Sequence, residues 1–176
     1  MLDIAENSVA AGARTIQISV EEDLKKDRLK ISVEDDGQGM DEEMVARVTD
    51  PFVTSRTTRK VGLGIPLLKA AAEACSGYLR ITSAIGQGTR LEAEFQRSHI
   101  DRMPVGDLSG TLLELLVAWP QIHWIFRYKL DGAEFYFDDE PIKIELGDVS
   151  LTEPGILTYL RQTLQEGLKE VQLSNV

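Results

Sequence analysis

The sequence predicts an α+β protein: a two-layer α/β sandwich with a mixed sheet covered by helices on one face, plus a small α/β C-terminal extension. Two kinds of pattern predict it. Runs such as Arg28-Leu29-Lys30-Ile31-Ser32-Val33 alternate polar and apolar residues with period two and read as strands. Other segments repeat their apolar residues at helical spacing, as Leu67, Leu68, Ala71, Ala72 and Cys75 do.

Element by element, Leu2 to Ala11 has helix-compatible spacing, with Gly12 as its stop. Strands follow over Thr15–Val20 and Leu29–Glu34, separated by the charged turn Glu21–Asp27. Glu42–Val48 is a short helix, and Ile65–Cys75 a longer one. Pro66 is tolerated near its start, because a first-turn N–H has no partner within the helix. Tyr78–Ser83 and Arg90–Phe95 flank Gly86-Gln87-Gly88-Thr89 and read as a hairpin. Residues 1–97 form one unit on this reading, and residues 98–176 the extension. In the extension, Leu108–Ala118 is helical, and Ile122–Leu130 and Ala133–Phe137 form a hairpin around Asp131-Gly132. Ile142–Leu146 reads as a further strand. Glu153–Val171 reads as a long helix capped by Thr152, with Pro154 in its first turn.

Three short stretches carry chemistry. Asp35 stands where a strand ends, followed by the turn dipeptide Asp36-Gly37. A carboxylate there can accept a hydrogen bond from the exocyclic amine of adenine, and Gly37 and Gly39 let the backbone come close to a base. The plainer reading is an acidic hairpin turn. Asp3 and Asn7 are four residues apart and share one helix face. A carboxylate and an amide oxygen side by side suit magnesium and a water; the plainer reading is a solvated face with acidic residues favouring the helix N-terminus. Gly62-Leu63-Gly64 follows the basic stretch Arg56-Thr57-Thr58-Arg59-Lys60 and opens a helix whose free N–H groups make an anion site. It matches neither the GK[ST] phosphate loop nor the GxGxxG dinucleotide fingerprint, and the plainer reading is an exposed loop.

In this order, these residues resemble the superfamily of gyrase, heat-shock chaperone, histidine kinase and MutL ATPases, the GHKL or histidine kinase-like ATPases. Asp3-Ile4-Ala5-Glu6-Asn7-Ser8-Val9-Ala10-Ala11-Gly12-Ala13 is similar to the family's first box in its MutL-like form. Asp35-Asp36-Gly37-Gln38-Gly39-Met40 is similar to the second, and Asp50-Pro51-Phe52-Val53-Thr54-Ser55-Arg56 with Gly62-Leu63-Gly64-Ile65 to the third with its lid. Gly86-Gln87-Gly88-Thr89 is similar to the closing box as histidine kinases write it. The resemblance implies ATP and Mg2+ as cofactors. It implies that Asn7 holds the metal and phosphate oxygens, that Asp35 reads adenine and that Thr89 supports Asp35. It further implies that Gly37, Gly39, Met40, Gly62, Leu63 and Gly64 shape the pocket, and that Arg56 and Lys60 meet phosphates from the lid. Asp3 falls where many relatives carry the glutamate that orients the attacking water. Aspartate is shorter by one C–C bond, about 1.5 Å, and a displacement of about 1 Å can lower a rate on the order of 10²-fold. The chain also begins within the first box, which leads us to expect either a late start or preceding residues not included here.

Composition narrows the field. Hydrophobic content of 43% and charged content of 27% are those of a soluble globular protein. No apolar run reaches a membrane-spanning length and no signal peptide is visible, so a cytoplasmic location is expected. Cys75 is the only cysteine, which excludes an intrachain disulfide, and with His99 and His123 it makes no zinc pattern. A net charge of −10 disfavours nucleic acid as a partner. Neither His99 nor His123 sits in a helical pattern of the kind that carries a phospho-acceptor. Trp124, Phe126 and Tyr128 share one strand face and read as core, with a partner surface as the alternative.

The expected function is therefore ATP hydrolysis or transfer of the γ-phosphate to a separate protein. The alternatives are an ATP-dependent sensor or interaction module without turnover, and a MutL- or gyrase-like module that forms a homodimer on ATP.

Overall fold

The computed structural model describes residues 1–50 and 63–174. Helix α1 (Leu2–Ala10) ends in a Schellman turn: Gly12, at φ +75°, donates to the Val9 carbonyl, and Ala13 donates to that of Ser8. Then come β1 (Thr15–Asp23), β2 (Arg28–Asp35), α2 (Glu42–Val48), α3 (Gly64–Ala74), β3 (Tyr78–Ala84) and β4 (Gly88–Gln96). The C-terminal part adds α4 (Leu108–Ala118), β5 (His123–Leu130), β6 (Ala133–Asp138), α5 (Glu140–Leu146) and α6 (Pro154–Leu173).

The strands form one six-stranded sheet in the order β3-β4-β2-β1-β5-β6. Every neighbouring pair is antiparallel except β1 and β5, which run parallel from Thr15↔His123 to Glu22↔Leu130, so the sheet is mixed. One face is apolar. Ile16, Ile18 and Val20 of β1, Leu29 and Val33 of β2, Leu91 and Ala93 of β4, and Trp124, Phe126 and Tyr128 of β5 are all buried on it. The helices cover that face: Ile4 and Ala5 from α1, Ala72 from α3, Leu112 and Leu116 from α4, and Leu160 and Leu164 from α6 join the same core. The other face carries the alternate residues, among them Ser19, Lys30, Ser32, Glu92 and Arg127, so the period of two seen in the sequence is the period of burial. The aromatic stripe on β5 belongs to the core.

Strand β1 runs three residues beyond the expected Val20, because Glu21, Glu22 and Asp23 keep pairing with Lys30, Leu29 and Arg28. The turn is then only 24–27; Asp23 Oδ1 accepts from the Lys26 amide at 2.8 Å, and Asp27 takes φ 55°. Two expectations for the extension are corrected. Ile142–Leu146 is not a strand but lies within α5. Pro141 sits in its first turn, and Ile142 and Leu146, one helical turn apart, pack on the core while Ile144 between them is 75% exposed. Thr152 does not cap α6. The N-cap is Glu153, without a side-chain cap, and the Thr152 hydroxyl pairs with Ser150 at 2.7 Å. Among the described residues, no helix is long and apolar enough to cross a membrane.

Candidate functional site

The chemistry-bearing residues gather where β2 ends. Asp35 is the last residue of β2 and lies opposite Ile16 of β1 and Thr89 of β4. It belongs to the helix-covered face, so its side chain is buried under α1 at 9% exposure. Both carboxylate oxygens are engaged. The Ser8 hydroxyl of α1 donates to Oδ2 at 2.6 Å, and the Gly37 amide donates to Oδ1 at 2.9 Å. Asp36, the next residue, turns the other way and accepts from the amides of Arg14 and Thr15 at 2.7 and 2.9 Å. Burial alone would raise its carboxyl, but the N–H groups of Thr15 and Arg14 outweigh it and hold the group below the usual carboxylate range.

The loop after Asp35 is clamped on both sides by backbone. The Gln38 amide donates to the Ala11 carbonyl at the end of α1, and the Gln38 carbonyl accepts from Gly86. Gly39 has φ +67°, and a Cβ there would stand 1.9 Å from the Ala84 carbonyl oxygen. Gly88, at φ +82°, comes as close to the Asp35 carbonyl. Ser83 ties the pieces together. Its Oγ accepts from the Met40 amide at 2.8 Å, donates to the Gly88 carbonyl at 2.8 Å and lies 2.9 Å from Thr89 Oγ1.

Asp3 and Asn7 are exposed on α1, one turn apart, at the mouth of this arrangement. Gly64 opens α3 directly beside Asp3; a Cβ on Gly64 would lie 3.2 Å from Asp3 Oδ2. Leu63, before it, is 57% exposed. The structure thus brings Asp3, Asn7, Asp35, Gly37, Gly39, Met40, Gly64 and Thr89 to one end of the sheet. Arg56, Lys60 and Gly62 lie outside the described residues. Thr89 is the cross-strand neighbour of Asp35, and its hydroxyl partner is Ser83.

Sequence reasoning missed Ser8, Ser83 and Gly88 as parts of the site. A signal existed for the two serines. Ser8 follows Ile4 by one helical turn, and Ser83 continues the Leu79, Ile81 side of β3, so both are polar residues on inward faces that require a partner.

Two other features compete for attention. A cavity of about 230 Å3 opens on the uncovered face of the sheet, lined by Gln17, Ser19, Ser32, Lys30 and Arg127 among others. Its cations are matched by carboxylates, as in Arg127–Glu134 at 3.1 Å and Lys30–Glu92 at 3.6 Å, and it lies across the sheet from Asp35, so it is a solvated polar face. His123, Asp138 and Asp139 bring three ligating atoms within 4.8 Å of one another. The Lys143 ammonium already stands 2.6 Å from Asp139 Oδ2 as an ion pair, without the alignment of a good hydrogen bond, and supplies the cation there.

Residues 1–99 match the family described as histidine kinase-, DNA gyrase B-, and HSP90-like ATPase. Among curated proteins, the chain is similar to the non-motile and phage-resistance protein of Caulobacter vibrioides, at 32% identity over 111 residues, covering 58% of this chain and 13% of that protein. It is similar to the sensor protein kinase FleS of Pseudomonas aeruginosa, at 38% identity over 89 residues, covering 51% and 22%. It is also similar to the sensor histidine kinase AruS of the same organism, at 36% identity over 75 residues, covering 40% and 8%. The matched stretch is thus a small part of each of these relatives.

Proposed function

The chain belongs to the histidine kinase-, DNA gyrase B- and HSP90-like ATPase family, and from that premise we propose that it binds ATP with magnesium at the Asp35 end of the sheet and transfers the γ-phosphate to a separate protein or to water. The observation that carries this reading is Asp35 itself, a buried carboxylate at a strand end, held by one donor on each oxygen and bordered by a glycine loop. Such a group is a fixed acceptor for an exocyclic amine. We read residues 1–97 as the ATP-binding unit and 98–176 as its extension; the family match ending at residue 99 supports that division.

The residues present fit magnesium. Asn7 and Asp3 offer exposed oxygen donors on one face of α1, the donor type and openness that magnesium takes with its waters. Bound there, the ion would neutralise charge on the phosphate oxygens. Asn7 contributes the ligand oxygen, Asp3 orients the attacking water, and Arg56 and Lys60 supply positive charge to the phosphates. Gly62, Leu63 and Gly64 lead into α3, whose N-terminal N–H groups favour an anion. Met40 borders the base end, its amide on the same Ser83 hydroxyl that meets Thr89. Neither histidine of these residues is placed as the acceptor, because His99 lies in a loop and His123 begins β5 with its Nε2 engaged by Asp138 at 2.8 Å. The sensor-kinase names of the relatives favour a protein acceptor over water. ATP and magnesium as ligands suit a cytoplasmic protein.

A second reading, a nucleotide sensor without turnover, is favoured by Asp3. Its carboxylate is short and already rests against the first residue of α3, where an incoming phosphate would compete with it.

Calorimetric titration with ATP and magnesium tests the proposal. Asp35→Asn should weaken binding on the order of 10-fold or more, and phosphate release or transfer should fall in Asp3→Ala. Binding without phosphate release or transfer would select the sensor. Undiminished binding by Asp35→Asn would sink the assignment of the site.

A further inference from the structure

Ser8 sits one residue from Asn7 but faces inward, at 5% exposure, on the side of α1 that carries Ile4 and Ala5. Its hydroxyl crosses from α1 to the end of β2 and donates to Asp35 Oδ2 at 2.6 Å. A hydroxyl has one proton to give. The other acceptor within its reach, the Ile4 carbonyl, is 3.4 Å away, too long to compete with the carboxylate. The Thr89 hydroxyl is engaged with Ser83, which also serves the Met40 amide and the Gly88 carbonyl. Among the described residues, Ser8 is therefore the hydroxyl directed at Asp35.

A carboxylate turns broadly about its last bond when nothing holds it. Here Ser8 fixes Oδ2 and the Gly37 amide fixes Oδ1, so the plane of the group is set. About four lone-pair sites are available on a carboxylate, and these donors take one on each oxygen. The rest point in fixed directions as acceptors only. We propose that Ser8 is a positioning residue that sets base specificity, holding Asp35 so that it accepts from the exocyclic amine of adenine and opposes a base with a carbonyl at that place. This rests on Asp35 as the residue that meets the base. A site built to bond a particular group rejects the analogue lacking it far better than an apolar pocket can.

The test compares two nucleotides on the same protein. Dissociation constants for ATP and for purine riboside 5′-triphosphate, which lacks the exocyclic amine, are measured by calorimetry with magnesium. The variants are Ser8→Ala, Ser8→Thr and Asp35→Asn. The wild type should prefer ATP. Ser8→Ala should cut that preference roughly tenfold, by weakening ATP while the analogue's affinity stays within about twofold. Ser8→Thr, which keeps the hydroxyl, should restore it. Equal weakening of both nucleotides by Ser8→Ala, or no change in either, would overturn the proposal if Asp35→Asn still abolishes the preference. A preference that survives Asp35→Asn removes Asp35 as the base reader, and this proposal with it. Should Ser8→Ala lose its cooperative thermal transition, Ser8→Cys, a weak donor of similar size, takes its place with the same outcomes.

Discussion

The Asp35 end and the C-terminal part of the sheet are held by different means. Around Asp35 the contacts are between backbones: Gly39 against Ala84, Gly88 against Asp35, Gln38 against Ala11, with Ser8 and Ser83 as short polar links. The C-terminal part is held by carbon. Trp124, Phe126, Leu112, Leu115, Leu160 and Leu164 fill its core, and Phe126 meets Phe135 edge to face at 6.3 Å. Among its described residues the deeply buried charge is Asp139, at 1% exposure, accepting from the Trp124 amide at 2.9 Å and paired with Lys143. The Asp35 end is thus built from polar groups and close backbone approaches. The C-terminal part is packed tightly enough to lend stability to the same sheet through the parallel β1–β5 pair.

The largest effect is expected from breaking the C-terminal charge pair. Lys143→Ala would remove the ammonium paired with buried Asp139, and loss of one partner of a buried pair costs about 3–5 kcal/mol. Burial already pushes the Asp139 carboxyl up, against the pull of Lys143 and the Trp124 amide. A raised acid favours the folded state below its unfolded pKa and loses that contribution as pH rises through the folded value. The deficit of Lys143→Ala should therefore shrink on acidification, as Asp139 takes up a proton. Urea denaturation from neutral pH downward reads it; a deficit independent of pH would assign the loss to packing alone.

Gly39→Ala breaks the other region. A Cβ 1.9 Å from the Ala84 carbonyl, at φ +67°, forces the loop to move, and strain with overpacking costs about 3 kcal/mol. The two variants should part on function. Gly39→Ala should abolish ATP binding in whatever fraction remains folded, while Lys143→Ala at permissive temperature should keep it within about threefold. Equal loss of binding in both would mean that the two regions are energetically one.

The two regions also differed in how far the sequence could be read. Hairpins were legible because Asp131-Gly132 and the β3–β4 turn mark them locally, and strands because burial alternates along them. The parallel join of β1 to β5 was not, since Thr15↔His123 spans the chain without a turn to announce it. In Ile142, Ile144 and Leu146, alternation pointed to a strand, yet a seven-residue helix uses two of the three inward. At the site, Asp35 and its glycines formed a recognisable string, whereas Ser8 and Ser83 contribute single letters whose meaning depends on which face they occupy. Asp139 in Asp138-Asp139-Glu140 looks like a surface turn, and only packing shows that one carboxylate of the run is interior.

The smallest effect tests the seam between the regions. The Tyr128 hydroxyl of β5 donates to Glu22 Oε1 of β1 at 2.9 Å, and Arg97, just past β4, meets Glu22 Oε2 at 2.6 Å. One carboxylate of β1 thus meets both β5 and the segment that follows β4. Tyr128→Phe removes one neutral donor to that carboxylate while Arg97 stays, which should cost about 1 kcal/mol at neutral pH. Burial first, then the Glu22 charge, pushes the Tyr128 hydroxyl up to about 12. With the folded value raised, its contribution is complete below the unfolded value of about 10 and is lost as pH rises through the folded one. Wild-type stability should therefore fall over that alkaline window more steeply than that of Tyr128→Phe, until the two curves meet. Denaturation midpoints followed through the window, with tyrosinate absorbance as the titration signal, read both quantities. Parallel curves would show that Tyr128 ionises as freely as in the unfolded chain, and that Arg97 and the parallel strand pair hold the seam without it.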